Sequence, residues 1–289
     1  MTGRTVGEAM RDAARRFREA GIEDAELEAD ILLRHALNLN GDRAHLLAIL
    51  HDPLPNVAAA RFEALVARRL AREPTAYIVG HREFYGLELE CGPEALIPRP
   101  ETELLVDIAL EWLRGREPPL DRPLVVDVGT GNGALAVALA VHWPRARVLA
   151  VDTSAPALIL ARRNAARHAV ADRVAFVRGD LLSPLRAKAD LVVANLPYVS
   201  ADDWTRLAPE ITRYEPREAL VGGPRGTETI ERLLSEAPGH LAPRALLLCE
   251  IGDQQGQELR AAAVRAFPDA WVEIRQDLAG LDRVLYVEL

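Results

Sequence analysis

A chain of 289 residues, 27% charged and 49% hydrophobic, has the make-up of an ordinary globular protein and the length for two domains. Its formal net charge of −8 argues against holding nucleic acid by bulk electrostatics, although a local basic patch stays open. The two cysteines, Cys91 and Cys249, and the seven histidines form no metal-type spacing, so no metal site is expected.

So few cysteines also point to a reducing cytoplasm. The start, Met1 to Arg18, is charged and amphipathic rather than a signal peptide. No apolar run is long enough to cross a membrane. A soluble intracellular protein is expected.

From about Thr5 to Arg72 the pattern is helical without strands. Val6, Met10, Ala13 and Phe17 recur at helical spacing, as do Leu27 and Ile31 and, further on, Leu65. Asn40-Gly41 and Asp52-Pro53-Leu54-Pro55 break the pattern as turns. The product is a small bundle of about four helices. Arg15-Arg16 and Arg68-Arg69 read as solvated faces, with a partner-binding surface as the alternative.

The next segment changes character. Glu83-Phe84-Tyr85-Gly86-Leu87-Glu88-Leu89-Glu90 alternates around a central glycine and predicts a hairpin. In Leu96-Ile97-Pro98-Arg99-Pro100-Glu101-Thr102-Glu103, two prolines flank Arg99 and stiffen an extended connection. Thr102 or Glu101 can cap a helix beginning near Leu104. The segment is either an interdomain linker or a rigid strap across the entrance to the second domain.

From Leu124 strands and helices alternate. Strands are predicted over 124–128, 147–152, 174–177 and 190–194, with helices over 134–141 and 155–168. Further strands over 245–251, 271–275 and 283–288 complete a doubly wound, mostly parallel α/β sheet.

Gly129-Thr130-Gly131-Asn132-Gly133 follows the first of these strands. Its glycines let the backbone turn tightly and approach a ligand closely. The spacing is G-x-G-x-G, not the dinucleotide G-x-G-x-x-G, because position 134 is alanine. No Lys-Ser/Thr pair follows, so it is not a phosphate-binding P-loop. Packing glycines are the plain alternative. Asp152 ends the next strand about 20 residues on, where a carboxylate grips ribose hydroxyls. Asp180 follows the third strand, where it can accept from an adenine amino group. An adenosine ligand without a pyrophosphate fits best, which points to S-adenosylmethionine.

Asn195-Leu196-Pro197-Tyr198 closes the fourth strand, at the carboxyl edge where open α/β sheets bind ligands. The Asn195 side-chain oxygen accepts from a planar NH2 group, and its own NH2 donates. Pro197 keeps Leu196 extended and leaves the Leu196 carbonyl free. Tyr198 supplies an aromatic face. Two acceptors and a ring suit an amide or an aromatic amine. The alternative is a strand ending in a proline turn, with Tyr198 in the core.

Val126-Asp127-Val128 with the glycine loop, Asp152, Asp180 and the Asn195 tetrapeptide resembles a class I methyltransferase of the amino-methylating kind. Three further stretches narrow the resemblance: Arg82-Glu83-Phe84-Tyr85-Gly86, the strap over 96–103, and Tyr214-Glu215-Pro216 before Ala219-Leu220. With them the chain is similar, over essentially its whole length, to the HemK/PrmC family of release-factor glutamine N5-methyltransferases. One position departs: the family tetrapeptide is usually Asn-Pro-Pro-Tyr, and Leu196 gives the form of ribosomal RNA adenine dimethyltransferases.

The resemblance implies a helical N-terminal domain over 1–75 that recognises release factor and a β-hairpin linker over 76–98. It implies a Rossmann-like class I S-adenosylmethionine-dependent methyltransferase domain with a seven-stranded sheet over 99–289. Cofactor contacts would come from Gly129, Thr130, Gly131, Asn132, Gly133, Asp152, Asp180, Leu181 and Asn195. Asn195, Leu196, Pro197 and Tyr198 would be the catalytic residues, and Arg99 and Pro100 would join them against the substrate. The implied reaction methylates the glutamine of a Gly-Gly-Gln tripeptide in class 1 peptide chain release factors and leaves S-adenosyl-L-homocysteine. The implied enzyme is a cytoplasmic monomer with no stable nucleic-acid or membrane binding. The alternatives are methylation of a ribosomal-protein glutamine, methylation of adenine N6 in RNA or DNA, and a non-catalytic adenosine-ligand binder.

Overall fold

The computed structural model describes residues 4–39 and 41–289, so 1–3 and the Asn40 half of the expected Asn40-Gly41 turn lie outside the described residues. Two compact units emerge. The first takes the chain up to Gly80 and again over Pro209–Tyr214; the second holds His81–Ala208 and Glu215–Leu289. Among the described residues, no helix is long and apolar enough to cross a membrane.

The first unit contains α1 (Val6–Glu19), α2 (Ala25–Ala36), α3 (Arg43–Ala48), α4 (Asn56–Leu70) and α5 (Thr75–Val79). A capping box starts α1: the Thr5 hydroxyl accepts from the Glu8 N–H, and the Glu8 carboxylate accepts from the Thr5 N–H. Val6, Ala13 and Phe17 are buried along one face, as their spacing predicts. In α2 the buried stripe is Ala25, Ala29, Leu32, Leu33 and Ala36, whereas Leu27 is 49% exposed. Spacing from Leu27 selected the wrong stripe because small alanines mark the inner one.

Arg69 departs from its expected solvated role. It is 5% exposed, with Nε 3.1 Å from Glu28 and Nη1 2.9 Å from Glu210 of the returning segment Pro209–Tyr214. A guanidinium buried this deeply needs paired carboxylates. Glu210 lies 141 residues away in the chain, so no local pattern could signal it.

The second unit opens with β1 (His81–Phe84) and β2 (Leu87–Glu90), paired antiparallel through Tyr85-Gly86. Those two residues have φ of +52° and +75°, the values of a type I′ hairpin turn. Tyr85 is held in that conformation by α6 (Glu103–Arg114): Glu103 accepts from its N–H at 2.8 Å, and Asp107 from its hydroxyl at 2.7 Å. There follow β3 (Leu124–Val128), α7 (Ala134–His142), β4 (Arg147–Asp152), α8 (Ala155–Arg167), β5 (Val174–Arg178) and β6 (Ala189–Ala194). A short parallel pair, β7 (Val199–Ser200) and β8 (Val221–Gly223), flanks α9 (Pro209–Tyr214) in sequence. The chain ends with α10 (Glu228–Glu236), β9 (Leu241–Glu250), α11 (Gly256–Ala266), β10 (Trp271–Gln276) and β11 (Asp282–Glu288).

The seven-stranded sheet runs β10-β11-β9-β6-β3-β4-β5, with β11 antiparallel to both its neighbours. The expected strands stand within two residues of their observed ends, except that β9 begins at Leu241. Its Pro243 sits where the register against β6 shifts, and such an irregular stretch needs no ladder donor. β3 and β6 are neighbours although β4 and β5 separate them in sequence. The chain therefore reverses its progress across the sheet there, and such a switch point opens a crevice at the carboxyl ends of the strands. Gly129 and Asn195 are the first residues beyond β3 and β6.

Candidate active site

The loop leaving β3 alternates through the left-handed region, with φ of +75° at Gly129, +55° at Gly131 and +86° at Gly133. A side chain there is strained. A Cβ on Gly133 would lie 3.0 Å from the Ala161 Cβ of α8, so this glycine serves packing. On Gly129 it would meet Leu196 Cδ2 at 3.0 Å, whereas on Gly131 it would meet nothing nearer than Ala95 at 3.9 Å. Gly131 thus keeps an open wall. The fully buried Asn164 clips the hairpin to this loop: it accepts from the Glu90 N–H at 2.7 Å and donates to the Asn132 carbonyl at 2.9 Å. Nothing around Asn164 in sequence signalled that role.

Beside the loop lies a cavity of about 260 Å³. Gly129, Thr130, Gly131 and Asn132 line it, as do Asp152, Asp180, Leu181, Asn195, Leu196 and Pro197. Gly133, Arg99, Pro100 and Tyr198 are not among its lining residues. Leu96 and Pro98 of the strap face it, while Ile97 and Arg99 alternate away, as an extended chain requires. Those two are held by Glu215, whose carboxylate accepts from the Ile97 N–H at 3.1 Å and lies 2.5 Å from the Arg99 guanidinium. At 6% exposure, Glu215 acts as a staple for the strap.

The charged residues on the wall are all acidic: Glu94, Asp127, Asp152, Asp180 and Glu218. Asp127 Oδ2 accepts from the Thr130 hydroxyl at 2.6 Å and the Ala136 N–H at 3.0 Å, while its buried Oδ1 has no partner among the described residues. Burial pushes this carboxyl up to about 7. Asp152 accepts from the Gly131 and Ser154 N–H groups, each at 2.8 Å, and burial raises its pKa as well. Asp180 spends one oxygen on Arg232 at 2.5 Å. Next to it, Leu181 holds a φ of +46°, a strained value of the kind that collects at ligand sites. Such a wall favours a cationic ligand.

Beyond β6, Asn195 Nδ2 donates to the Thr102 hydroxyl at 3.0 Å. Leu196 is 4% exposed and covers Gly129, so its side chain has a packing role beyond the carbonyl assigned from sequence. Tyr198 turns away from the cavity: its hydroxyl donates to Glu250 at 3.1 Å, and its carbonyl accepts from Gln255 at 2.8 Å. Thr102 occupies the N-cap position of α6 without capping it. Its backbone is already helical, which keeps the side chain from folding over the first N–H groups, and the hydroxyl donates to Glu250 at 2.6 Å instead. Two glycines back the tetrapeptide. A Cβ on Gly222 would lie 2.2 Å from the Pro197 carbonyl oxygen, and one on Gly226 2.3 Å from that of Tyr198.

Solved structures of low sequence similarity share this fold. The catalytic domain of hMettl16, in complex with MAT2A 3′UTR hairpin 1, superimposes with a TM-score of 0.55 at 16% identity, over 80% of this chain and 79% of that one. A methyltransferase from Pyrococcus furiosus gives 0.50 at 16% identity, over 78% of this chain and 96% of that one. Residues 106–217 match the methyltransferase small domain, and 8–80 the PrmC N-terminal domain. Fold and site thus define a class I S-adenosylmethionine-dependent methyltransferase. The release factor glutamine methyltransferase of Nitratidesulfovibrio vulgaris is 41% identical over 96% of this chain and 92% of its own length. That of Moorella thermoacetica is 42% identical over 96% of each. The chain belongs to the family of release factor glutamine methyltransferases.

Proposed function

We propose that this chain transfers a methyl group from S-adenosylmethionine to the side-chain amide nitrogen of the glutamine in the Gly-Gly-Gln tripeptide of class 1 release factors. One observation carries this reading. Asn195 and Leu196 stand on the wall of the same cavity as the glycine loop and Asp152, so amide acceptors and an adenosine cradle share one space. The names of the relatives agree with it.

The residues fit the cofactor. Gly131 leaves the loop wall open, Asp152 has lone pairs for ribose hydroxyls, and the unpartnered Oδ1 of Asp127 is an acceptor for a ligand N–H. Asp180 and Leu181 border the same space. S-adenosylmethionine, when bound, supplies a methyl group on a positively charged sulfur. A glutamine amide nitrogen is a weak nucleophile, because its lone pair is delocalised into the carbonyl. Among the described residues no His, Lys or Cys lines the cavity, and its Asp127 and Asp152 carboxylates are assigned to the cofactor, so catalysis rests on orientation and not on a side-chain base. Asn195 Oδ1 and the Leu196 carbonyl accept from the two amide hydrogens. Fixed geometry supplies roughly 7–11 kcal/mol in favourable cases. The same acceptors stabilise positive charge developing on nitrogen, and the proton leaves to water afterwards.

Asp152→Ala is expected to weaken S-adenosylmethionine binding at least about tenfold, since hydrogen bonds to charged groups are worth roughly 1.5–3 kcal/mol. Calorimetry on the folded variant checks this, and an unchanged affinity removes Asp152 from the site.

The substrate is tested at the tripeptide. Glycines let a backbone come close to the strap, where alanines collide. A release factor with both glycines replaced by alanine is expected to be a poor acceptor even with its glutamine intact. The helical first unit adds affinity for the folded factor, so a short peptide should react slowly. A duplex nucleobase would have to be flipped out at a cost of a few kcal/mol. Mass spectrometry of release factor, alanine variant, ribosomal protein and RNA after reaction decides between them. Equal methylation of the alanine variant, or methylated adenine in place of glutamine, overturns the assignment.

A further inference from the structure

Glu250, at the end of β9, is 1% exposed and outside the cavity wall, yet it holds both flanks of the tetrapeptide. Its Oε2 accepts from the Thr102 hydroxyl at 2.6 Å, and its Oε1 from the Tyr198 hydroxyl at 3.1 Å. Thr102 in turn meets Asn195 Nδ2 at 3.0 Å. These bonds form one directed chain. A hydroxyl has a single proton, and a carboxylate only accepts. With its proton committed to Glu250, the Thr102 oxygen can only accept, so the end of the Asn195 amide that faces it must be the NH2. The Asn195 oxygen is then left for the cavity. A reversed amide would set two oxygens together without a proton between them.

We propose that Glu250 is a positioning residue for the methyl transfer: through Thr102 it fixes which end of the Asn195 amide meets the substrate, and through Tyr198 it pins the far end of the same loop. This rests on the reading of Asn195 as an acceptor for the substrate NH2. A buried carboxylate is costly, and a hydrophobic residue would pack there at less expense. It is, however, the side chain that offers two acceptor oxygens and no proton, as this chain of bonds demands.

The test compares Thr102→Val, which keeps shape and loses the hydroxyl, with Thr102→Ser, which keeps the hydroxyl, beside Glu250→Gln. The full-length variants are assayed with intact release factor, S-adenosylmethionine affinity is read by calorimetry, and hydrogen exchange of the Asn195 side-chain NH2 by NMR. Thr102→Val and Glu250→Gln are expected to lose roughly 10- to 100-fold in kcat, the scale of a group misplaced by about 1 Å. Their cofactor affinity should hold, Thr102→Ser should retain wild-type kcat, and Asn195 NH2 exchange should quicken in Thr102→Val alone of the two Thr102 variants. Equal kcat in the serine and valine variants, or unchanged exchange in Thr102→Val, overturns the proposal. If the wild-type protein methylates no glutamine, the substrate reading fails instead, and the exchange rates still decide whether Thr102 holds the Asn195 amide.

Discussion

Asn195→Ala is expected to lower turnover by roughly 10²- to 10³-fold, the usual cost of deleting one preorganised group that meets charge developing in a transition state. The residue follows a strand buried between β3 and β9, and its amide is fixed by Thr102, so it is rigid before any ligand arrives. Truncation leaves the Leu196 carbonyl as the remaining acceptor for the substrate amide. Cofactor affinity should change far less, because the glycine loop and Asp152 are untouched. Single-turnover rates with saturating S-adenosylmethionine provide the measurement. Turnover near that of the wild type would exclude Asn195 from the chemistry.

Gly222→Ala is expected to cost about 10²-fold in turnover although Gly222 itself is not on the cavity wall. The added Cβ would stand 2.2 Å from the Pro197 carbonyl oxygen and 2.5 Å from that of Gly226, and both are backbone. Something must move, and the Pro197 carbonyl belongs to the tetrapeptide proposed to orient the amide. A displacement near 1 Å is enough for a loss of about 10²-fold. Overpacking should also lower stability by about 1–3 kcal/mol. Gly239→Ala is the control, since its Cβ would meet nothing within 4 Å. Equal kinetics and melting temperatures for the two variants would show that the loop is not held by this contact.

What could be read from sequence was whatever sits at the end of a strand. The loop after β3, Asp152 and the tetrapeptide after β6 each follow an apolar run with a definite length, and parallel strands deliver their carboxyl ends to one edge. The hairpin was legible because Tyr85-Gly86 lies between two alternating runs. What stayed hidden depends on partners far away in the chain. Thr102 reads as a cap and bonds Glu250, 148 residues on. Arg69 reads as solvated and is buried by Glu210. The Glu215 partner of Arg99 stands 116 residues on and is equally invisible locally. For Thr102 and Arg69 the local pattern gives the residue a satisfactory job, and only the tertiary fold offers a stronger partner. Sequence also gives no hint of how close two backbones pass, so the clearance that Gly222 and Gly226 provide behind the tetrapeptide was invisible.

The return of Pro209–Tyr214 to the first unit decides how the gene can be cut. A chain stopped at Gly80 keeps α1 to α5 but loses Glu210, which pairs with Arg69 and Arg72, and Tyr214, whose hydroxyl donates to the Ala71 carbonyl at 3.0 Å. Removing one partner of a buried ion pair costs about 3–5 kcal/mol. That is a large share of the roughly 5–15 kcal/mol by which a small protein stays folded. The complementary fragment from His81 would carry α9 without the helices it folds with. Recombination, fragment complementation or a protease site at the Gly80–His81 junction therefore divides the sequence where the structure is still whole. A graft of the first unit onto another protein must bring two segments of chain, not one.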